Sequence, residues 1–161
     1  MSRRPPDIPS KIRIWQQNVH KVQAAQEYIH NTAKPEEWDV IALQEPWLDT
    51  MNKTRANPYW RVVYPSNHLL DNQPCTHSLF LINANISSDS YTILPFPHNN
   101  ITVVQFKGNF GCLMIFNIYN EITNNNTIQF LSDYLDDLSN LIHSNDDHMI
   151  WLGDFNHHHL M

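Results

Sequence analysis

The stretch that decides the fold is the last one in the chain, Met149-Ile150-Trp151-Leu152-Gly153-Asp154-Phe155-Asn156-His157-His158-His159. Its first four residues are apolar and predict a short buried strand. Gly153 has no Cβ, so a tight turn is predicted directly after that strand. A carboxylate, an amide and three imidazoles follow at once. Open α/β sheets bind their ligands at the carboxyl ends of strands, so this stretch predicts a ligand site.

Other apolar strands in the chain also end in polar side chains. They are residues 12–15 before Gln16-Gln17-Asn18, residues 40–43 before Gln44-Glu45, and residues 113–116 before Asn117-Ile118-Tyr119-Asn120-Glu121. One acid after an apolar strand is common, whereas several polar strand ends in one chain are much less so. The chain is therefore predicted to bring these ends together.

Length and composition fit one domain, or part of one. The chain has 161 residues, of which 42% are hydrophobic, and this share is enough for a packed core. The formal net charge of −6 is unlike that of a tight nucleic-acid binder, because phosphate contacts need Lys and Arg. It allows an enzyme that binds metal cations through carboxylates and meets nucleic acid briefly. Two cysteines are too few for a disulfide framework or a cysteine zinc site.

The sequence predicts neither a secretory nor a membrane segment. The N-terminus is charged but no apolar run follows it, and no stretch approaches the ~20 apolar residues that span a bilayer. We therefore expect an intracellular protein, nuclear or cytoplasmic and not secreted, with no membrane contact and no obligate protein partner. Residues 1–10 contain three prolines and are predicted to be a flexible lead-in to one domain over residues 11–161.

The spacing of apolar residues predicts an α/β fold. Helical spacing marks residues 20–33 and 127–143. The first of these helices lies between two predicted strands, residues 11–19 and 38–44, which makes a βαβ unit with parallel strands. The later predicted strands are residues 59–64, 78–83, 91–94, 101–106 and 112–119. Pro, Asn and Ser clusters separate those of the middle section, which is predicted to be antiparallel.

The polar strand ends offer the ligands that a hard cation prefers. Asn18, Glu45, Asp154 and Asn156 all carry side-chain oxygens. Mg²⁺ prefers such a set, with only one or two carboxylates and the rest water and substrate phosphate. A cation there would offset the charge of a phosphodiester and stabilise its leaving oxygen. An amide such as Asn156 orients water or phosphate without adding charge, and the phenol of Tyr119 is a donor for a phosphate oxygen.

Simpler roles are open for several of these residues. Asn18 also fits a plain turn after a strand, Glu45 a solvated loop acid, and Tyr119 an aromatic side chain at the rim. The three histidines at 157–159 fit a soft-metal cluster, although adjacent residues rarely all face one ion, which favours a structural role. Positive charge is expected near the site despite the net negative charge. The candidate cations are Lys21, Lys53, Arg55 and Arg61.

Taken in order, four motifs resemble the endonuclease/exonuclease/phosphatase superfamily, whose members include DNase I and exonuclease III. They are Gln17-Asn18, Leu43-Gln44-Glu45, Asn117-Ile118-Tyr119 and Gly153-Asp154-Phe155-Asn156. The run from Gly153 to His159 resembles most closely the endonuclease domains of fungal non-LTR retrotransposons. The resemblance begins near residue 11 and continues to the end of the chain. It implies a four-layer α/β/β/α sandwich of two mixed sheets.

The resemblance also implies roles for individual residues. Glu45 would be the principal carboxylate for Mg²⁺, with Mn²⁺ as an alternative, and Asn18 would support that metal site. Tyr119 would contact the scissile phosphate. Asp154 would position or activate the attacking water, and Asn156 would bind phosphate beside it. No residue is assigned to recognition of the rest of the substrate. The implied activity is metal-dependent hydrolysis of phosphodiesters, with DNA as the substrate.

The chain departs from the superfamily pattern at its C-terminal end. Superfamily members continue past this motif with further strands and a late Ser-Asp-His-type motif, whereas this chain ends at Met161. The resemblance therefore covers roughly the first two-thirds of the domain. We expect a sandwich that is incomplete at the C-terminus and has no activity on its own. The alternatives are a non-catalytic remnant of a transposon and a superfamily phosphatase that acts on inositol phosphates or lipids.

Overall fold

Eight strands and two helices make up the part of the chain that the structure describes. This computed structural model describes residues 10–70, 75–109, 111–123, 126–138 and 147–156. The strands are β1 (Ile14–Asn18), β2 (Val40–Gln44), β3 (Trp60–Val63), β4 (Ser78–Asn83), β5 (Tyr91–Leu94), β6 (Ile101–Gly108), β7 (Gly111–Tyr119) and β8 (Asp147–Asp154). The helices are α1 (Gln23–Thr32) and α2 (Asn126–Leu138), and a short 3-10 turn covers Ser88–Ser90.

The strands form two mixed sheets. The first sheet has the order β1-β2-β4-β3, in which β1 and β2 are parallel and β4 is antiparallel to both of its neighbours. The second sheet has the order β5-β6-β7-β8, in which β7 and β8 are parallel and the other pairs are antiparallel. The predicted parallel βαβ unit is therefore confirmed, and so is the antiparallel middle section.

The main core lies between the two sheets. Every residue of β2 is buried, because one face of the strand packs on the second sheet and the other face packs on α1. This double burial explains why β2 is a continuous apolar run rather than an alternating one. The inter-sheet core contains Val40, Ala42, Val63, Phe80, Ile82, Ile86, Val104, Phe106 and Ile115.

The two helices cover the outer faces of the sheets. On the first sheet, Ile29 of α1 packs with Ile41 and Leu43. On the second sheet, Leu131 of α2 packs with Phe116. The layers are therefore helix, sheet, sheet and helix, and the predicted α/β sandwich of two mixed sheets is confirmed. No helix within the described ranges is long and apolar enough to cross a membrane.

Helix α1 begins three residues later than predicted. His20 and Lys21 have φ angles of 51° and 58°, which belong to the left-handed region and cannot continue a right-handed helix. The backbone N–H of Lys21 donates to the carbonyl of Glu45 at 2.7 Å, so this turn is tied to the end of β2. Helix α2 is described as far as Leu138. The rest of its predicted length, residues 139–143, and residues 1–9 of the predicted lead-in lie outside the described residues.

Two predictions for the last strand are wrong. The strand is not buried, because β8 is at the edge of its sheet and leaves Ile150 and Trp151 exposed. Gly153 does not turn the chain, because it lies inside β8. The strand continues to Asp154, and Gly153 pairs with Ile118 of β7. Its φ is +145°, and a Cβ built on it would lie 1.8 Å from the carbonyl oxygen of Ile118. Glycine is needed here for close approach of two backbones rather than for a change of chain direction. The close pairing of β7 with β8 places Asp154 directly opposite Tyr119 in the strand register.

Candidate active site

The carboxyl ends of four strands meet at one edge of the sandwich. Because β1 and β2 are parallel, they end side by side, with Asn18 opposite Gln44. Strands β7 and β8 end in the same way, with Tyr119 opposite Asp154. Packing of the sheets face to face then brings the two pairs of ends together. The structure therefore contains the convergence of strand ends that the sequence predicted.

Asn18 joins the carboxylates of the two sheets. Its Nδ2 donates to Glu45 Oε2 at 3.1 Å and to Asp154 Oδ2 at 2.8 Å. Its Oδ1 accepts a hydrogen bond of 2.8 Å from the backbone N–H of His20. The amide is oriented by this backbone contact, so the N–H donors of its neutral NH₂ group face the two acids. Asn18 therefore holds two carboxylates close together that would otherwise repel each other.

Glu45 lies just after β2 in a strained backbone conformation. Its φ is 46°, in the left-handed region that non-glycine residues rarely adopt. The backbone on both sides holds it there: its N–H donates to the carbonyl of His77 at 2.8 Å, and its carbonyl accepts from Lys21. The side chain is 19% exposed. Strained residues that surrounding contacts hold in place are concentrated at functional sites.

Tyr119 approaches the same carboxylate from the second sheet. Its hydroxyl donates to Glu45 Oε1 at 3.2 Å. Burial raises the pKa of Tyr119 to about 12, and the negative charge of Glu45 beside it acts in the same direction. The phenol is therefore protonated across the physiological pH range and acts as a hydrogen-bond donor. The ring of His77 contacts the Tyr119 ring edge-on, with centroids 5.2 Å apart.

Asp154 and Asn156 form a compact turn at the end of β8. The backbone N–H of Asn156 donates to Asp154 Oδ1 at 3.1 Å, and Asn156 has a φ of 44°. The Asn156 side chain donates from Nδ2 to the backbone carbonyl of Asn120 at 2.6 Å. Four of the predicted site residues are therefore linked by direct side-chain hydrogen bonds, whereas Asn156 joins the group through its backbone. The linked residues are Asn18, Glu45, Tyr119 and Asp154.

Two solved structures superpose on most of this chain and identify its fold. The endonuclease domain of TRAS1, a telomere-specific non-LTR retrotransposon, superposes with a TM-score of 0.62 at 16% identity, over 91% of this chain and 59% of that one. An endonuclease/exonuclease/phosphatase family protein from Leptotrichia buccalis C-1013-b superposes with a TM-score of 0.55 at 14% identity, over 91% of this chain and 67% of that one. The chain has the endonuclease/exonuclease/phosphatase fold. No protein-family model and no curated protein matches it in sequence.

In this endonuclease/exonuclease/phosphatase fold, a buried polar network lies directly under the strand ends. Gln44 Nε2 donates to Asn117 Oδ1 across the two sheets. Asn117 Nδ2 in turn donates to the carbonyls of Leu43 at 3.0 Å and Leu79 at 2.8 Å. Buried polar groups that satisfy one another in this way fix one alignment of the packed layers. The network therefore sets how the end of β2 sits relative to the end of β7.

Two histidines beside the site were not predicted from the sequence. His20 Nδ1 lies 3.2 Å from Glu45 Oε2, and its side chain is 73% exposed. The sequence did offer a reason to place His20 at the site, because it comes two positions after the predicted site residue Asn18. His77 is 15% exposed, and its Nδ1 lies 2.8 Å from Asn100 Oδ1. Nothing in the sequence placed His77 at the site, because it precedes β4 instead of following the carboxyl end of a strand.

Of the four cations predicted near the site, Lys21 lies beside Glu45 and Arg61 lies elsewhere, while the nearness of Lys53 and Arg55 to the site stays a prediction. Lys21 is joined to Glu45 through the backbone. Arg55 forms an ion pair of 2.7 Å with Glu27 of α1. Arg61 donates to the carbonyls of Ala84 and Ile86, at the end of the first sheet opposite to Glu45, so its predicted place near the site is wrong. The strand register, which sequence spacing does not give, decides this outcome.

The donor set fits a hard cation better than a soft one. Within the described ranges, no three His, Cys, Asp or Glu side chains lie close enough to hold a metal by themselves. Two carboxylates that share one amide donor provide the small number of charged ligands that Mg²⁺ prefers, with water and phosphate completing the shell. The histidines at 157–159, the candidate soft-metal cluster, lie outside the described residues.

Proposed function

We propose that this chain carries the metal-binding and phosphate-binding residues of a phosphodiesterase that cleaves DNA, in the lineage of non-LTR retroelement endonucleases. One observation carries the proposal. The Asn18 side chain links two carboxylates from different sheets, Glu45 and Asp154, at the edge where four strands end. The two acids repel each other, and a cation bound between them would relieve that repulsion.

Glu45 and Asp154 would hold the metal, and Asn18 would hold the two acids in place. A bound Mg²⁺ or Mn²⁺ would neutralise charge on the phosphodiester and on the departing oxygen. The Nδ2 group of Asn18 faces the two acids, and its oxygen faces the His20 backbone, so we assign Asn18 to support of the carboxylates rather than to a bond with the ion. This assignment refines the metal-site role that the resemblance implies for Asn18.

The remaining residues would bind the phosphate and orient water. Tyr119 would donate its phenolic hydrogen to a phosphate oxygen, because its pKa near 12 keeps it protonated. Asp154 would orient or activate the attacking water through a carboxylate that Asn18 and the Asn156 backbone hold fixed. Asn156 would bind phosphate beside it without adding negative charge.

Two findings support DNA from a retroelement context as the substrate class. The sequence motifs resemble those of fungal non-LTR retrotransposon endonucleases, and the fold superposes on the TRAS1 endonuclease domain. The net charge of −6 favours brief contact with DNA over stable binding. The chain spans 59% of the TRAS1 domain. A chain of this extent can bind the metal without completing the reaction, so metal binding and hydrolysis are tested separately.

The test has one arm for the metal site and one for the reaction. Calorimetry would measure Mn²⁺ binding to the wild type and to Glu45→Gln, Asp154→Asn and the control Asp133→Asn, which changes an exposed acid on α2. We expect both site variants to bind at least about tenfold more weakly, since each loses a charged ligand, and the control to bind like the wild type. Equal binding by all four proteins would contradict the proposal.

Nicking of supercoiled plasmid in Mg²⁺ forms the second arm. Nicking that falls roughly 100-fold or more in Asp154→Asn and Glu45→Gln, but not in Asp133→Asn, supports an enzyme, because members of a catalytic unit act together. Mn²⁺ binding without any nicking supports the alternative of a chain with no turnover. Nicking that neither substitution reduces would contradict the assignment of the two acids.

A further inference from the structure

Asn120 follows the last residue of β7 and is almost completely buried, with 5% exposure. It contacts three consecutive residues of the segment that carries Asp154. Its backbone N–H donates to the carbonyl of Asp154 at 2.8 Å, and its Nδ2 donates to the carbonyl of Phe155 at 2.9 Å. Its own carbonyl accepts from Asn156 Nδ2 at 2.6 Å. One residue therefore holds the segment 154–156 by both its backbone and its side chain.

This segment needs to be held, because its conformation is not one that the chain adopts readily. Asn156 has a φ of 44°, and the strand has already ended at Asp154. Left-handed non-glycine residues persist where surrounding contacts fix them. Among the described residues, the bonds from Asn120 to Phe155 and Asn156 provide such contacts.

The conformation of the segment decides where the Asp154 carboxylate points. Asp154 Oδ1 accepts from the backbone N–H of Asn156, and Asp154 Oδ2 accepts from Asn18. If the 155–156 backbone moved, the first of these bonds would break and the carboxylate could rotate. Asn120 therefore acts on Asp154 through two peptide groups, without touching the carboxylate itself.

The side-chain amide of Asn120 is only partly satisfied. Its Oδ1 is buried and has no hydrogen-bond partner among the described residues. An orphaned acceptor costs stability. The Nδ2 donor to Phe155 is the contact that an apolar residue could not make. The side chain therefore combines one unpaired oxygen with one donor contact to the segment that carries Asp154.

We infer that Asn120 is a positioning residue, which fixes the orientation of Asp154 for the metal and for the attacking water. The inference rests on the proposed function, since it gives Asn120 a role in that same site. Groups that orient a metal ligand without contacting the ion commonly change metal affinity or activity 10–100-fold when removed. Asn120 is close to the site, but none of the motifs quoted from the sequence assigns it a role.

The chain offers a matched control in Asn83. It is 3% exposed, and its Nδ2 donates to the carbonyls of Pro35 at 2.7 Å and Trp38 at 2.9 Å. It lies at the end of the first sheet opposite to Glu45. Asn83→Ala therefore removes an equally buried amide with equivalent bonds to the backbone, far from the proposed metal site.

The experiment compares wild type, Asn120→Ala, Asn83→Ala and Asp154→Asn by two measurements. The first is Mn²⁺ affinity by calorimetry, and the second is hydrogen exchange of the Asn156 backbone amide by NMR. We expect Asn120→Ala to bind Mn²⁺ about 10–100-fold more weakly and to lose protection of the Asn156 amide. Asn83→Ala should resemble the wild type in both, even if it is less stable. If Asn120→Ala fails to fold, Asn120→Leu, which keeps the branching of the side chain at Cγ but loses the Nδ2 donor and adds no charge, replaces it.

The outcomes separate this inference from the proposed function. Wild-type Mn²⁺ affinity and wild-type exchange in the Asn120 variant would overturn the inference. So would an equal loss of affinity in Asn83→Ala, since that would show a general effect of stability. If Asp154→Asn binds Mn²⁺ like the wild type, the proposed function fails. In that case the exchange of the Asn156 amide, which needs neither metal nor DNA, still decides whether Asn120 fixes the segment.

Discussion

The side-chain amide of Asn18 donates a 2.8 Å hydrogen bond to Asp154, although 136 positions separate the two residues in the chain. The bond crosses from the first sheet to the second at the edge where their strands end. The same amide nitrogen donates to Glu45, so one neutral group lies between two acids. The arrangement offsets the repulsion of the acids in the absence of metal, and it leaves them ready to share a cation.

A third acid at position 18 should therefore destabilise the metal-free protein. Asn18→Asp removes the donor and places another carboxylate beside Glu45 and Asp154, so we expect the unfolding free energy to fall by about 1–3 kcal/mol. Added Mg²⁺ should restore part of the loss, because a cation would offset the added charge. Urea unfolding with and without Mg²⁺ measures both effects. Asn85→Asp, in an exposed turn, is the control, and an equal loss there would refute the explanation.

A side chain at position 153 should be tolerated very poorly. Gly153→Ala would place a Cβ 1.8 Å from the Ile118 carbonyl oxygen, at a φ of +145°. We expect a loss of roughly 3 kcal/mol or more, because backbone atoms cannot move aside as a flexible side chain can. Gly108→Ala, at an exposed position in β6 without a positive φ, should cost much less. Thermal unfolding of the two variants would reveal the difference, and similar midpoints would count against the close approach of β7 and β8.

Tyr119 should make stability depend on pH in the alkaline range. The pKa of tyrosine rises from 10.0 to about 12 in the folded protein, so between these values the folded state keeps a proton that the unfolded chain has lost. Stability should therefore fall as the pH rises from about 10 to about 12. Tyr119→Phe should reduce this fall, whereas Tyr28→Phe, at an exposed tyrosine, should not. Denaturant unfolding over a pH series measures it, and parallel curves for wild type and Tyr119→Phe would contradict it.

Salt dependence should identify the cation that DNA meets at the site. Lys21 precedes α1 beside Glu45, whereas Lys34 follows α1 at the other end and pairs with Glu37. We expect Lys21→Glu to weaken DNA binding and to reduce the slope of log affinity against log salt by about 1, because one phosphate contact is lost. Lys34→Glu should leave the slope unchanged. Fluorescence anisotropy with a labelled duplex at several salt concentrations tests this, and equal slopes for the two variants would refute it.

The sequence predicted the fold and the convergence of strand ends because both depend on local patterns. A continuous apolar run such as β2 is typical of a strand buried on both faces, and the structure buries it in that way. Parallel strands joined through a helix must end at the same edge, which places Asn18 next to Glu45 without knowledge of any long-range contact. The polar motif around Asp154, at the end of a strand in the second sheet, predicted that this sheet also contributes to the site.

Contacts between residues far apart in the chain could not be predicted in the same way. The role of Gly153 depends on how closely β7 approaches β8, and the misplacement of Arg61 depends on the register of β3 against β4. His77 reaches the site through packing of its ring against Tyr119. Asn120 follows Tyr119 in the sequence, but its bonds to Phe155 and Asn156 depend on the pairing of β7 with β8. The left-handed turn at His20 shortens α1, although its residues fit helical spacing. Backbone conformation of this kind is set by bonds to Glu45 rather than by local preference.

Glu45 and Asp154 are proposed to bind one divalent cation where the strand ends meet, and paramagnetic broadening by Mn²⁺ would locate that cation. With isotopically labelled protein and a small fraction of one equivalent of Mn²⁺, NMR signals of atoms close to the ion broaden first. We predict early loss of the Asn18 side-chain signal and the Asn156 backbone signal, with the Asn83 side-chain signal retained. Asp154→Asn should abolish this selectivity. Broadening that spares Asn18, or that is unchanged in Asp154→Asn, would show that the two acids do not bind the cation.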